Sequence, residues 1–138
     1  MKSKSLKQIA DKIRQLDFCM MLTTDGRGTQ FSRPMSNNGD VEFDGNSWFY
    51  TYEQSDKVKQ IENNPSVSLS FQTADMLFIH LFGTAKIIKQ KSVLAEYWQE
   101  DSQMWFPDGI ETSGIVLLKV ETKKIHYRHK KDEGEWSV

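Results

Sequence analysis

Apolar and polar positions alternate with two different periods along the chain, and each period predicts a different kind of element. Within residues 5–16, apolar side chains recur three and four positions apart, which predicts an amphipathic helix. The apolar, β-prone run Phe18–Thr24 predicts a strand, and the Gly-rich segment 25–28 predicts a turn. A second strand at 29–36 would complete a hairpin with the first.

The middle of the chain continues the strand pattern around one short helix. The helix is predicted at 55–63, where Ser55 is a good N-cap residue and Pro65 prevents continuation. Gly83 lies inside a long predicted strand, which indicates a bulge or a close approach of two backbones. Strands separated by turn signals are predicted at 41–43, 47–51, 66–71 and 76–89.

Another helix and two strands are predicted in the last third of the chain. Residues 92–104 carry helical spacing, and 105–109 form a loop. The strands cover 115–120 and 125–129. A length of 138 residues matches one core, so we expect a single domain over residues 1–138. Short strands with hairpin turns and a few helices predict a mainly β fold, an antiparallel β-barrel.

The composition indicates a core rich in aromatic residues and gives no support for a nucleic-acid partner. Aromatic residues make up 12% of the chain, a share that suits a barrel core or the apolar walls around a flat ring ligand. The formal net charge is -1, and the basic run 123–131 is followed at once by Asp132, Glu133 and Glu135. No nucleic-acid partner is therefore expected.

Cysteine content and hydropathy predict the compartment. Cys19 is the only cysteine, so a disulfide within the chain is impossible and a reducing compartment is expected. The basic N-terminus is not followed by the apolar stretch of a secretory signal, and the apolar runs are too short to span a bilayer. We expect a soluble cytoplasmic protein with no membrane partner.

Histidines and nucleophiles offer little for catalysis. His126 and His129 lie three residues apart in a predicted strand, so they point to opposite faces and cannot chelate one metal together. The sequence has no zinc-ligand spacing, and no metal site is predicted. Cys19 lies in an apolar strand, where a cysteine is an inert core residue. The sequence contains neither a Walker loop nor a nucleophile elbow, so catalytic residues stay unassigned.

Two segments carry residues suited to a phosphate group. A strand ends at Thr51 and a helix starts at Ser55 with Lys57 in its first turn, which brings backbone N–H groups, a hydroxyl and an ammonium together. Arg33 precedes a proline that cannot donate to a ladder, which indicates a strand edge or a bulge facing a cavity. A guanidinium also suits bidentate phosphate binding. The alternatives are an ordinary N-capped helix and a surface arginine on an edge strand.

Short motifs run in a fixed order through nearly the whole chain. Among them are Ser-Arg-Pro-Met at 32–35, Trp-Phe-Tyr-Thr at 48–51 and Ser-Asp-Lys-Val at 55–58. The others lie at 20–24, 64–71, 83–85, 105–109 and 116–120. With these motifs the sequence resembles the pyridoxamine 5′-phosphate oxidase-like flavoproteins, and within them the general stress protein 26 group. The resemblance implies an FMN-binding split β-barrel, antiparallel and Greek-key-like, that forms a homodimer with two flavins in clefts between the subunits.

The resemblance also implies ten cofactor-binding residues, grouped by the part of FMN that each would contact. The phosphate would be bound by Arg33, Ser55 and Lys57. The isoalloxazine edge would lie along Pro34, Met35 and Ser36. The ribityl side would be lined by Tyr50 and Thr51, and the partner subunit would contribute Trp105 and Phe106.

Three departures from the family pattern bear on function. Asp56 places a carboxylate beside the expected phosphate dianion, so it is expected to point outward. The C-terminal segment 133–138 lacks the Arg-Leu pair with which the true oxidases grip pyridoxal, so pyridoxamine phosphate oxidation is not expected. Tyr127 and Arg128 stand where many stress-group members carry Tyr-Trp, which leaves the role of that pair unassigned.

The resemblance leaves three functions open. The first is a flavin-dependent oxidoreductase with a nicotinamide donor or another small-molecule substrate, in which His80 is the one candidate acid or base and a barrel histidine is its alternative role. The second is a non-catalytic stress protein that sequesters FMN or FAD. The third is a binder of another cofactor on the same fold, either deazaflavin F420 or haem with a histidine as axial ligand.

Overall fold

Three α-helices, two short 3-10 helices and seven strands build the part of the chain that the computed structural model describes, residues 5–37 and 43–137. The helices are α1 (Leu6–Arg14), α2 (Asp56–Asn63) and α3 (Lys91–Glu96), and the 3-10 helices are Glu100–Met104 and Gly109–Glu111. The strands are β1 (Phe18–Thr24), β2 (Gln30–Ser36), β3 (Asn46–Tyr52), β4 (Ser66–Gln72), β5 (Leu77–Ile88), β6 (Ile115–His129) and β7 (Asp132–Ser137). Of the strand expected at 41–43, residues 41 and 42 lie outside the described residues, and Phe43 is not in a strand.

The described strands form one antiparallel sheet in the order β2-β1-β4-β5-β6-β3, with β7 also beside β6. β4 and β5 form a hairpin, and β6 follows after residues 89–114, which contain α3 and both 3-10 helices. β3 precedes this run in the sequence but lies beside β6, so the strand order is Greek-key-like. β2 and β3 therefore stand at opposite ends of the strand order. The mainly β, antiparallel barrel that the sequence predicts is confirmed.

A single main core explains why the sheet curls into a barrel. Inward side chains from the six strands β1 to β6 belong to one apolar cluster, and Met21, Leu81 and Val120 are fully buried within it. The two longer helices cover the same cluster with Ile13 from α1 and Val58 from α2. Full burial of each such side chain contributes about 1.5–3 kcal/mol, so this shared cluster stabilises the closed shape of the sheet.

Gly83 lies where β5 and β6 change register. Phe82 pairs with Lys124 and Gly83 with Thr122, so the extra residue of the bulge, Lys123, lies on β6 opposite Gly83. A Cβ at position 83 would fall well inside the van der Waals distance of the Glu121 carbonyl oxygen. Only glycine lets the two backbones approach this closely.

β6 is one continuous strand of 15 residues, so the prediction of two separate strands at 115–120 and 125–129 was wrong. Its first part pairs with β3 as far as Glu121, and its last part pairs with β7 from Lys124 onward. Residues 121–124 are too polar to look like a core strand in the sequence. They stay in the sheet because β5 pairs with them across the bulge at Gly83.

The helix predicted at 92–104 was also wrong in extent. It is divided into α3 and the 3-10 helix Glu100–Met104, with Gln99 in an extended conformation between them. Tyr97 and Trp98 pack against β3, but the five residues that follow are all polar and give a continuing helix no apolar face. The carboxylates of Glu100 and Asp101 would also oppose the negative C-terminal end of a longer helix.

β7 was not predicted at all. Its sequence Asp-Glu-Gly-Glu-Trp-Ser is nearly all polar, and only Trp136 packs against the core. The strand forms because β6 offers it a backbone edge after a turn at Lys130, whose φ is +58°. Within the described ranges, no helix has the length and apolar character needed to cross a membrane.

Candidate functional site

A cleft of about 560 Å³ lies against the two strands that end the sheet order, β2 and β3. The α1–β1 junction and the segment 99–106 complete its walls. Eight of the ten predicted cofactor residues line it: Pro34, Met35, Ser36, Tyr50, Thr51, Lys57, Trp105 and Phe106. Arg33 and Ser55 do not line the cleft; Arg33 directly precedes Pro34, and Ser55 lies two residues before Lys57. The fold therefore gathers predicted residues that lie up to 72 positions apart in the sequence.

Lys57 carries the positive charge at one end of this cleft. Its Nζ donates a hydrogen bond to Thr51 Oγ1 at 3.0 Å, and Thr51 is buried at the end of β3. Burial lowers the pKa of Lys57, the charge of Arg33 lowers it further, and Asp56 opposes the shift. The two cations are therefore close enough to repel each other.

Arg33 is held by neutral partners only. Its Nη1 donates to Thr23 Oγ1 at 2.6 Å and its Nη2 donates to Gln60 Oε1 at 3.3 Å. Burial lowers the pKa of this guanidinium, and the nearby charge of Asp56 acts in the opposite direction. Within the described residues, neither Arg33 nor Lys57 makes an ion pair with a carboxylate. The pair of cations thus lacks the anion that would offset their burial and mutual repulsion.

Asp56 lies between these groups in the sequence, at the first position of α2. Its side chain is exposed, as the sequence predicts, but its charge still acts on both Arg33 and Lys57. The carboxylate therefore reduces the positive potential of the site without pairing directly with either cation.

Ser55 occupies the N-cap position of α2 but does not cap the helix, so that part of the prediction was wrong. Its backbone is extended, with φ -69° and ψ 153°, yet its hydroxyl accepts no hydrogen bond from the first turn. Ser55 Oγ is buried without a partner, and Thr122 Oγ1 is the other such atom among the described residues. A buried, unpaired hydroxyl costs about 1–3 kcal/mol. An oxygen-rich anion at the first turn of α2 would offer the acceptor that this hydroxyl lacks.

Aromatic side chains form the walls between the two ends of the cleft. Tyr52 and Phe106 pack with their ring centroids 5.0 Å apart, and Tyr50 meets Trp98 edge to face at 5.1 Å. The Tyr50 hydroxyl donates to the Leu94 carbonyl oxygen, and burial raises its pKa far above the ordinary value. Tyr50 is therefore a neutral wall of the cleft at physiological pH.

Trp105 and Phe106 line the cleft of their own chain, and their expected contribution to the site of a partner subunit stays a prediction. The segment after α3 folds back across β3, and the buried Phe106 ring packs on Tyr50 and Tyr52. Trp105 remains 54% exposed beside it. The sequence could not fix this placement because it depends on where the short helix α3 ends.

Polar residues at the other end of the cleft were not predicted from the sequence. They come from the α1–β1 junction and from the segment after α3, and include Arg14, Asp17, Gln99, Asp101 and Ser102. No motif marks them, because they become neighbours only when the two connections meet in space. We call the part of the lining at Lys57, beside Arg33 and Ser55, the cationic end, and the set Arg14, Asp17, Gln99, Asp101 and Ser102 the polar end. The remaining lining is largely aromatic.

The remaining candidates for chemistry lie elsewhere. His80 is on the outward face of the sheet, opposite His126 and 4.2 Å from the Phe82 ring centroid, and Tyr127 is buried in the core. Burial raises the pKa of the Cys19 thiol to about 12, which makes it unreactive. No group of three or more histidine, cysteine or acidic side chains in the described residues could hold a metal ion.

Comparisons with known proteins agree on one family. The model of a family described as pyridoxamine 5′-phosphate oxidase like matches residues 4–136. A protein from Clostridium acetobutylicum related to general stress protein 26 of Bacillus subtilis superposes with a TM-score of 0.84 at 16% identity, over 95% of this chain and 92% of that one. General stress protein 26 from Bacillus anthracis has a TM-score of 0.76 at 25% identity, over 96% and 98%.

A third similar structure is that of a cofactor-binding protein. It is a pyridoxamine 5′-phosphate oxidase-related, FMN-binding protein from Nostoc punctiforme, with a TM-score of 0.70 at 14% identity, over 95% of this chain and 93% of that one. Among curated proteins, none matches the sequence.

Proposed function

The chain belongs to the pyridoxamine 5′-phosphate oxidase-like family, and from this membership and the geometry of the cleft we propose that it binds FMN through the phosphate. The observation that carries the proposal is the pair of half-buried cations, Arg33 and Lys57, held without a carboxylate partner at the N-terminus of α2. A phosphate dianion supplies the charge that this arrangement lacks.

Each group at the cationic end has a separate part in the proposal. Lys57, already directed by Thr51, contributes a point charge, and Arg33 contributes planar N–H donors. The unpaired Ser55 hydroxyl and the uncapped N–H groups of α2 donate the remaining hydrogen bonds. The residues present therefore fit a phosphate monoester.

The flat ring of the flavin fits the aromatic part of the cleft. Tyr52, Trp105 and Phe106 offer apolar faces, and β2 lies along one side as an edge strand of the described sheet. Backbone groups of Met35 and Ser36 that do not face β1 would hydrogen-bond to the polar edge of the ring. Pro34 has no N–H, so it offers only its carbonyl oxygen.

Bound FMN would supply hydride and single-electron chemistry, which makes a flavin-dependent oxidoreductase the proposed activity. The chain's own contribution is to bind and orient the cofactor and to exclude water with aromatic side chains. Since His80 lies on the outward face, it is not proposed as an acid or base. Anaerobic mixing with NADH and with NADPH tests the activity, because reduction bleaches the flavin. If neither nucleotide bleaches it, the proposal of a nicotinamide-dependent reductase loses its main support, and a non-catalytic flavin-binding role is favoured.

A homodimer is part of the same proposal. Phe18, Met20, Phe78 and Phe82 are each at least 40% exposed on the outward side of β1 and β5, and we call this set the outer apolar face. An apolar sheet face of this kind is normally covered by a partner. Phe18 also lines the cleft, so a second copy seated on the outer apolar face would lie beside the cofactor.

Titration with FMN and with riboflavin tests the binding proposal. The two ligands share the ring and ribityl chain, and only FMN has the phosphate. Two charge-assisted contacts predict that FMN binds about a hundredfold more tightly or better. Equal affinities would contradict the phosphate site, and no binding of either would contradict flavin binding altogether. Parallel titrations with FAD, F420 and haem identify another cofactor if the chain prefers one.

A further inference from the structure

We infer that Thr23 and Gln60 are positioning residues that hold the Arg33 guanidinium toward a bound phosphate while leaving its charge available. The inference rests on the proposed function and adds two residues that no motif marks. Thr23 is the next-to-last residue of β1 and is fully buried, and Gln60 projects from α2. Their hydrogen bonds to Arg33 connect β1 and α2 to β2.

The direction of each hydrogen bond follows from the chemistry of the three groups. A guanidinium only donates, so Thr23 Oγ1 accepts from Arg33 Nη1 at 2.6 Å. The single hydroxyl proton of Thr23 is then left for Gln60 Oε1, 2.5 Å away. The same Oε1 accepts from Arg33 Nη2 at 3.3 Å. These bonds close a ring in which the Gln60 carbonyl oxygen faces the arginine and the amide nitrogen faces away.

Strand register explains why Thr23 can reach Arg33. In the β1–β2 pair Thr23 stands opposite Phe31 and Arg33 stands opposite Met21, so Thr23 and Arg33 are diagonal neighbours on the same face. Gln60 approaches from α2, four residues after Asp56 begins the helix. The guanidinium is therefore fixed from two sides before any ligand binds.

Thr23 and Gln60 are both uncharged, and this matters for phosphate binding. A carboxylate at either position would hold the arginine more strongly but would cancel the charge that attracts a phosphate. A hydroxyl and an amide fix the orientation of Arg33 without cancelling it. Among the described residues, hydrogen bonds use two of its five N–H groups, which leaves three for a ligand. Fixing a donor in advance lowers the cost of ordering it on binding.

The experiment measures FMN and riboflavin affinities, by flavin fluorescence, for wild type and four variants. Thr23→Val keeps the shape but removes the hydroxyl, and Thr23→Ser keeps the hydroxyl. We expect Thr23→Val to lower FMN affinity about tenfold and to leave riboflavin affinity unchanged. Thr23→Ser should bind FMN as tightly as wild type does. Gln60→Met should lose about threefold in FMN affinity.

Gln60→Glu separates positioning from a purely structural role. Its carboxylate would form an ion pair with Arg33, so the thermal midpoint should rise or stay the same while FMN affinity falls about tenfold or more. A residue that only supports the fold would move stability and FMN affinity in the same direction. Because Gln60 is only partly buried, this variant stays folded even if Thr23→Val does not.

The outcomes distinguish this inference from the proposed function. If the wild-type chain binds FMN more tightly than riboflavin, the proposed function is supported. If Thr23→Val and both Gln60 variants keep the wild-type ratio of the two affinities, the positioning inference is wrong. Equal losses for FMN and riboflavin in these variants would also overturn it, because they would indicate general damage to the cleft. Wild type without any preference for FMN would overturn both.

Discussion

Lys57 and Thr51 are joined by a 3.0 Å hydrogen bond from Nζ to Oγ1 across the connection between β3 and α2. The bond spans six residues and draws a flexible ammonium back over the start of its own helix. Since Thr51 is buried and uncharged, it directs Lys57 into the cleft without neutralising it. The hydrogen bond therefore holds the ammonium group of Lys57 at the connection between β3 and α2, where both residues line the cleft.

Replacing Lys57 tests whether that end binds phosphate. Lys57→Ala should weaken FMN binding by about tenfold to a hundredfold and leave riboflavin binding unchanged, because only FMN offers the phosphate. Lys59→Ala is the matched control, since Lys59 is an exposed lysine on the same helix. Fluorescence titration of both variants measures the effect. Equal losses for FMN and riboflavin would rule out the assignment of Lys57.

The lowered pKa of Lys57 predicts a gain in stability when its charge is removed. Because the folded pKa lies below the ordinary value of 10.5, the unfolded chain holds the proton more tightly. Stability therefore rises with pH between the folded pKa and 10.5, and at neutral pH the lysine carries the full cost of its burial. Lys57→Met keeps the apolar stem and should raise the thermal midpoint of the ligand-free protein.

Thermal melts with and without FMN measure this trade-off. The advantage of Lys57→Met over wild type should shrink as the pH approaches 10.5, and the rise in midpoint that FMN produces should be smaller in the variant. A variant that melts lower than wild type at neutral pH and keeps the full FMN response would show that Lys57 serves the fold instead.

A charge on the outer apolar face should separate the proposed dimer. Met20 lies on β1 between Pro34 of β2 and Ser70 of β4 and is 41% exposed. Met20→Lys should give monomers in sedimentation velocity, while Met20→Leu, which keeps the apolar surface, should remain dimeric like wild type. If the wild-type chain sediments as a monomer, the outer apolar face has another role.

Mixed dimers test which subunit supplies Trp105. The structure places Trp105 and Lys57 against the same cleft of one chain. A hybrid of Lys57→Ala and Trp105→Ala subunits should therefore contain no intact site and bind FMN as weakly as the parents. Half occupancy at wild-type affinity would mean that the tryptophan acts across the interface. Equilibrium dialysis of purified hybrids gives the occupancy.

Elements defined by local signals were predictable from the sequence. β1 was predicted to the residue, Gly83 marked the bulge, and Arg33 before a proline marked an edge strand. In each case the signal is a residue's own backbone preference or a short apolar pattern, which does not depend on distant contacts.

Features set by long-range packing were not predictable. The hydrogen bonds of Arg33 to Thr23 and Gln60 join residues that are 10 and 27 positions away, and no spacing rule connects them. The division of the helix at 92–104 depends on Tyr97 stacking against Trp48 at 3.7 Å, which requires β3 to be in place first. Ser55 occupies the N-cap position that its sequence predicts, but its hydroxyl accepts no hydrogen bond from the first turn.

A crystal structure of the chain with FMN tests the central claim most directly. We expect the phosphate at the start of α2, within hydrogen-bond distance of Arg33 and Lys57, with the isoalloxazine ring between β2 and the Trp105–Phe106 side of the cleft. A phosphate bound instead at the polar end, near Arg14 and Gln99, or a flavin outside this cleft, would contradict it.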